Sequence, residues 1–321
     1  MMRVMTFAEA MINALIDAMS EDQSVVLVGR PLGLGPQRAF LKNLTDRFPD
    51  RCFDPPTSEA ANAALGAGAA MRGLRPFVDL ATGSFSFVAW SPIVNEAAVA
   101  CYMTGGRIHV PVTYHCLEGV RGGGAPQHSH NVHGMIWNAS GLEILAPSTP
   151  TDMYGLTRAA LASKNPSFIM SHAKLLGMEG PVSMENVPIG RAEIKRRGRE
   201  VTVVAISLMV HLAMEAAERL SGEGIEVEVL DPRTLAPLDD AAILESVRRT
   251  GRLVVVDEAP LQGGLASGIA GMVAERGFQW LKSPVQRVAR MDTPIAFSPP
   301  MEAFVIPNVE KVVEAIRKTL L

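Results

Sequence analysis

Residues 54–73 read DPPTSEAANAALGAGAAMRG. Pro55 and Pro56 block helix ahead of the segment, and Thr57 or Ser58 offers an oxygen to the orphan N–H groups at a helix start. Glu59 then falls on the first turn, and small residues dominate the rest of the run: Ala60, Ala61, Ala63, Ala64, Gly66, Ala67, Gly68, Ala69 and Ala70. Glycine lowers helix propensity by about 1 kcal/mol relative to alanine. Gly66 and Gly68 therefore predict close packing against another backbone or a flat ligand. Glu59 has two readings. It is a capping acid favoured by the helix dipole, worth roughly 0.3–1 kcal/mol, or a buried acid whose pKa is set for proton work. Spacing alone favours the first.

On both sides of this segment helices and strands alternate. Ahead of it, residues 6–19 predict a helix capped by Thr6, 24–29 (SVVLVG) a buried strand, and 39–48 a helix. The LGLG turn at 32–35 lacks the Lys-Ser/Thr or full GxGxxG of a phosphate loop. After it, 75–80 (RPFVDL) is a strand, 89–102 a helix and 110–114 (VPVTY) a strand. Residues 142–146, 150–163 and 167–170 predict strand, helix and strand. Residues 177–200 carry glycine, proline and charge with little periodicity. Beyond them, strands at 201–206, 225–230, 253–257 and 285–289 alternate with helices at 213–220, 241–250, 265–275 and 309–321.

This order predicts an α/β protein of two stacked domains, each a mainly parallel sheet with helices on both faces. The expected division is a first domain over 1–185, a linker over 186–200 and a second domain over 201–321.

Residues 115–133 predict a long, glycine-rich loop with four of the seven histidines. Long irregular connections in compact domains are usually functional. His128, His130 and His133 suggest a metal cluster or, with no acid or cysteine beside them, a single histidine that moves protons.

Composition narrows the classes. Net charge is −3 and no basic face tracks nucleic acid. The densest basic run, Lys195-Arg196-Arg197-Gly198-Arg199, reads as a solvated turn. Cys52, Cys101 and Cys116 are odd in number and widely spaced, which predicts a reducing, cytoplasmic setting rather than a disulfide frame. No apolar stretch reaches ~18 residues, so no membrane span is expected. Residues 1–19 read as an amphipathic helix rather than a signal peptide.

Several runs carry a resemblance. Thr57-Ser58-Glu59-Ala60, 68–76 (GAAMRGLRP), 102–106 (YMTGG), Gln127-His128-Ser129, 146–150 (APSTP), 231–235 (DPRTL), 237–239 (PLD) and 254–258 (VVVDE) stand in one order along the chain. Together they resemble the beta subunit of the thiamine-diphosphate-dependent first component of 2-oxo acid dehydrogenase complexes, and the C-terminal two-thirds of transketolase-type enzymes. The resemblance implies a pyrimidine-binding domain followed by a transketolase C-terminal-like domain. It assigns Glu59 to N1′ of the cofactor's aminopyrimidine, where the acid drives the 4′-amino group to its imino form and so helps make the C2 ylid. It places Phe85 against that ring and Ser58, Ala81 and Ala89 around it. His128 aligns with the family's active-site histidine. Val112, Ala160, Leu161 and Asn165 align with a potassium site of some relatives, with Ser163 where those carry Asp.

The same resemblance implies a separate alpha subunit that holds magnesium and the diphosphate, an α2β2 heterotetramer, and burial of the glycine-rich and final helices between chains. A lipoyl acyltransferase core is a further implied partner. Departures from the pattern cluster. Gly29-Arg30-Pro31 replaces an acidic pair, residues 115–119 (HCLEG) replace Arg-Gly-Pro-Asn-Gly, Ser171-His172 replaces Glu-Asn, and His130 replaces Gln. Arg30, His115, His130 and His172 are accordingly the candidate substrate residues. Arg30 binds an anionic group of the substrate or turns outward. The expected activity is 2-oxo acid decarboxylation with acyl transfer to a lipoyl group. The alternatives are a two-subunit carboligase or transketolase without a lipoyl partner, and a non-catalytic interaction subunit.

Overall fold

A computed structural model describes residues 3–30 and 38–321. The LGLG turn lies outside the described residues. The chain forms two compact units: Met1–Gly119 with Ile136–Ile189, and Val120–Met135 with Gly190–Leu321. The segment Val120–Met135, expected inside the first domain, groups with the second unit.

The first unit starts with β1 (Arg3–Thr6) and α1 (Phe7–Glu21). Thr6 caps α1 in a capping box with Glu9, each side chain meeting the other's backbone N–H. Then come β2 (Val25–Val28), α2 (Arg38–Arg47), β3 (Cys52–Phe53), α3 (Glu59–Met71) and β4 (Arg75–Thr82). The helix expected over 89–102 is a π-helical stretch, Ser91–Ala97, that runs into α4 (Ala98–Met103). β5 (Thr113–Glu118), β6 (Glu143–Leu145), α6 (Pro150–Ala162), β7 (Ser167–His172) and β8 (Glu179–Val182) come next, while α5 (His133–Trp137) begins in residues grouped with the second unit and ends in the first. Strands of this unit lie in the order β6-β7-β5-β4-β2-β3, and each pair is parallel. β8 pairs antiparallel with β1.

β5 begins and ends later than the apolar pattern predicts. Pro111 has no N–H to give to a ladder. At the other end His115 and Glu118 continue the strand although both are polar, because both are buried and partnered. His115 therefore belongs to the sheet and not to the loop.

α3 shows why its sequence is so small. Ser58 is its N-cap and accepts from Ala61 N at 3.4 Å. Asn62, Ala63, Gly66, Ala67 and Ala70 form the buried face. A Cβ on Gly66 would lie 2.4 Å from Cγ2 of Val78 and 3.3 Å from Cγ2 of Val112, so the helix rests directly on the sheet. Gly68 points away from the sheet and meets nothing of this chain within 4 Å.

The second unit holds β9 (Glu193–Arg196), β10 (Val201–Ala205), α7 (Met209–Ser221), β11 (Val227–Asp231), β12 (Thr234–Ala236) and α8 (Asp240–Thr250). β13 (Leu253–Pro260), α9 (Leu265–Arg276), β14 (Gln286–Arg290), α10 (Pro299–Val305) and α11 (Val309–Leu320) complete it. Its sheet runs β14-β13-β10-β11-β9, parallel except for β9. The stretch expected as a linker thus contains a strand, β9, whose charged residues reach salt bridges at the sheet edge, such as Arg196 with Glu218. α7, α11 and the apolar strands β10, β11 and β13 share one core.

Candidate active site

In the first unit a cavity of about 600 Å³ opens where β2, α3 and β4 begin or end. Glu59, half-buried on the first turn of α3, lines it, and Asn62 stands one turn further along the same face. The N-terminal end of a helix carries partial positive charge, which suits an acid or an anionic ligand there. Asp79 and Ala81 of β4 form another wall. Ala81 has φ +56°, a left-handed backbone uncommon for a residue with a side chain, at a register shift between β4 and β5. Such strain is held only where surrounding structure over-determines it, often at ligand sites.

Asp79 is fixed from behind. Its Oδ1 lies 2.8 Å from Nδ1 of His115, and Nε2 of His115 lies 2.9 Å from Oγ of Ser171. The imidazole stacks on Phe77 with ring centroids 5.5 Å apart. His115 and Ser171 are fully buried. Ser-His-Asp geometry of this kind resembles a hydrolase triad, but a nucleophile needs a substrate beside it, and Ser171 is sealed in the sheet. The arrangement instead orients Asp79.

Arg30 lies at the cavity rim and turns onto Asp54, with Nε donating to Oδ2 at 2.7 Å. That hydrogen bond and charge push the Arg30 pKa up. Ser58 caps α3 and is exposed. Phe85 lies half-buried on the turn Gly83–Phe87, and Ala89 is fully buried beyond it. His172 ends β7, buried, and its Nδ1 accepts from Lys174 N at 3.2 Å.

The carbonyls aligned with a potassium site already have partners. Leu161 O accepts from Arg75 Nη1 at 2.9 Å, and Val112 O from Ser167 N at 2.9 Å. Ala160 O accepts from Ser163 N at 3.1 Å, while the Asn165 amide donates to Glu143. Charges of both signs meet at this corner, the Arg75 guanidinium on one side and the Glu143 carboxylate, which accepts from Ser163 and Asn165, on the other.

The histidine loop belongs to the second unit, where its three histidines part company. His128 is exposed on the turn Pro126–His128. His130 is half-buried, and burial, then the charge of Arg290, lowers its pKa. His133 is buried with Nε2 2.9 Å from Asp257 Oδ1. Among the described residues no group of three His, Cys, Asp or Glu side chains is poised for a metal ion.

Buried acids hold the loop. Glu258 accepts from Val120 N at 2.7 Å and from the Asn131 amide at 3.3 Å. Glu302 accepts from Gly122 N at 3.0 Å and Gly123 N at 2.9 Å. Gly122 and Gly123 have φ of +85° and +77°, which turns successive N–H groups toward one carboxylate. The sequence reading missed Asn62, Asp79, Asp257, Glu258 and Glu302 as parts of these sites. The available signal was a charge inside an apolar strand, in RPFVDL and LVVVDE, since buried charges are expected to be paired.

Two parallel-sheet units, the first with an acid at the mouth of a small-residue helix beside a deep cavity, define a transketolase-type protein. Residues 3–178 match the family described as "Transketolase, pyrimidine binding domain", and 190–312 the family described as "Transketolase, C-terminal domain". The chain belongs to this family of thiamine-diphosphate-dependent enzymes. It is 39% identical to the mitochondrial pyruvate dehydrogenase E1 component subunit beta-1 of Oryza sativa subsp. japonica, over 98% of this chain and 86% of that protein. It is 35% identical to the acetoin:2,6-dichlorophenolindophenol oxidoreductase subunit beta of Bacillus subtilis (strain 168), over 100% of this chain and 98% of that one. A solved structure described as a split gene transketolase, inactive beta4 tetramer, shares the fold with a TM-score of 0.82. That match has 24% identity and covers 98% of each chain.

Proposed function

We propose that this chain is the beta subunit of a heteromeric thiamine-diphosphate-dependent 2-oxo acid dehydrogenase, and that it binds the pyrimidine half of the cofactor in the Glu59 cavity. The observation that carries this reading is the position of Glu59, on the first turn of α3 at the cavity wall beside Asn62 and Asp79. The residues fit the group: an acid that can share a proton with a ring nitrogen, an amide, and small Ala81 where a flat ring needs room. When bound, the cofactor supplies the carbanion that attacks the oxo carbon.

Glu59 holds or shares the proton at the pyrimidine ring nitrogen. Asp79, fixed by His115, keeps the adjoining wall polar. Ser58 caps the helix that presents Glu59, and Phe85 and Ala89 are assigned to the ring's surroundings by the family resemblance, although neither is among the residues that line the cavity. His128, exposed on a clamped loop, meets the substrate carboxylate or carries a proton. Arg30 faces the anionic end of the substrate when it leaves Asp54.

The reading includes an alpha subunit that holds magnesium and the diphosphate in an α2β2 assembly. Exposed apolar side chains support a subunit contact: Leu65 on the outer face of α3 is 52% exposed, and Tyr102 and Met103 of α4 are 90% and 75% exposed. The Oryza sativa and Bacillus subtilis relatives are also called beta subunits. A lipoyl acyltransferase core is the proposed acceptor. A cytoplasmic setting is proposed from the three cysteines, which form no disulfide. Among the described residues no helix is long and apolar enough to cross a membrane.

A second reading, a two-subunit carboligase or transketolase without a lipoyl partner, draws on the altered residues buried behind the Asp79 wall: His115 and Ser171 bonded to each other, and His172 next in β7.

The test is reconstitution with an alpha-type chain from a neighbouring reading frame. Release of carbon dioxide from a 2-oxo acid, with acylation of a lipoyl domain, supports the first reading. Carbon dioxide release with carboligation alone, or ketol transfer from a ketose to an aldehyde with no release, supports the second. Glu59→Gln should lower either rate by about 100- to 10,000-fold. Full activity in that variant refutes both.

A further inference from the structure

A different cavity, of about 420 Å³, opens in the second unit under the loop that carries His128. Pro126 and His130 of the loop form one side, and Arg290, Asp292, Thr293 and Ile295 the other. Arg290 is only 5% exposed. Its Nη1 donates to the Thr293 carbonyl at 2.5 Å. Its Nε is buried and has no hydrogen-bond partner among the described residues. A buried donor left unmet costs free energy that an incoming acceptor recovers.

Burial lowers the Arg290 pKa, against the charges of Glu258, Asp292 and Asp257. Those acids are committed elsewhere. Asp257 accepts from His133 and from the N–H groups of Ala259 and Ala266, and Asp292 accepts from Gln262 N. Glu258 accepts from Val120 N and Asn131. The Nε–Nη2 edge of a guanidinium is the side that matches a carboxylate or phosphate with parallel hydrogen bonds. His130 lines the same cavity, and burial, then the charge of Arg290, lowers its pKa and so disfavours a second positive charge there.

We propose that this cavity binds a small oxyanion, a carboxylate or a phosphate, with Arg290 as its anchor and His130 as a second contact. A ligand held there ties the His128 loop to the segment after β14. The proposal concerns binding alone and stands apart from the reaction proposed for the Glu59 cavity.

The test uses the full chain. Inorganic phosphate, and acetate in parallel, are titrated at constant ionic strength by calorimetry, and amide exchange is monitored over residues 120–135. The expected result is saturable binding of at least one anion, with slower exchange in the loop. The tighter of the two identifies the ligand class. Arg290→Met should weaken binding by about tenfold or more, a step of about 1.4 kcal/mol. Arg290→Lys keeps the charge without the fork and should weaken it too. No saturable binding of either anion up to roughly 10 mM, a very weak affinity, overturns the proposal. So does unchanged binding in Arg290→Met, or in Arg290→Lys should the first variant fail to fold.

Discussion

Nδ1 of His115 and Oδ1 of Asp79 stand 2.8 Å apart, with His115 sealed in the sheet and Asp79 at the wall of the Glu59 cavity. A carboxylate only accepts, so Nδ1 carries the hydrogen and Nε2 is left to the Ser171 hydroxyl. The direction in which Asp79 faces is therefore set by residues no ligand touches.

His115→Phe removes the only donor bonded to Asp79 Oδ1 among the described residues. Breaking a buried pair from one side typically costs about 3–5 kcal/mol. Urea unfolding of the isolated chain should show a loss of that order. The double variant His115→Phe, Asp79→Leu should recover part of it, because an apolar replacement leaves no stranded charge. Additive losses in the two single variants would contradict a direct pairing.

Gly66 and Gly68 give a paired test. Gly66→Ala puts a methyl 2.4 Å from Cγ2 of Val78, a stiff β-branched side chain in the sheet. It should destabilise by about 1–3 kcal/mol. Gly68→Ala meets nothing and should stabilise the isolated chain by about 1 kcal/mol through helix propensity. Thermal melts of the two variants should therefore shift in opposite directions.

Both glycines came from one sequence run, yet only Gly66 meets the sheet of its own unit. The run showed that a helix would be small-sided but not which side met the sheet. The alternation of helix and strand was legible because period and caps are local: Thr6, Asp239 and Asn308 each cap the next helix. The length of β5 was not, since His115 and Glu118 look like loop residues until their partners are known. Glu59 was legible from its motif. The clamps on the histidine loop were not, because they come from residues 257–302, far along the chain.

Acid should unlock part of the second unit. Asp257 is buried, which by itself raises its pKa. The charge and hydrogen bond of His133, with backbone N–H groups of Ala259 and Ala266, bring it below the ordinary 3.8. A depressed acid contributes stability that is complete above the unfolded value and is lost as pH falls through the folded one. Stability measured by denaturant should therefore fall as pH drops below about 3.8. Asp257→Asn should be less stable at neutral pH and should lack this part of the acid limb.

Glu302→Gln keeps the size of the side chain but replaces one acceptor oxygen with a donor, which opposes an N–H of Gly122 or Gly123. Amide exchange at these glycines and through residues 120–131 should accelerate, while exchange in β10 and β11 stays unchanged. In the reconstituted enzyme kcat should fall more than the melting temperature suggests. Rescue by Glu302→Asp is expected to be partial, because the shorter side chain reaches one N–H at best.

The bond between Gly122 and Glu302 spans 180 residues. During synthesis the histidine segment leaves the ribosome long before α10 exists. A growing chain can complete the sheet around Glu59 while the His128 turn still lacks its latch. The Glu59 cavity is thus finished early and the clamped His128 turn late, so a chain that stalls before residue 302 would present one without the other.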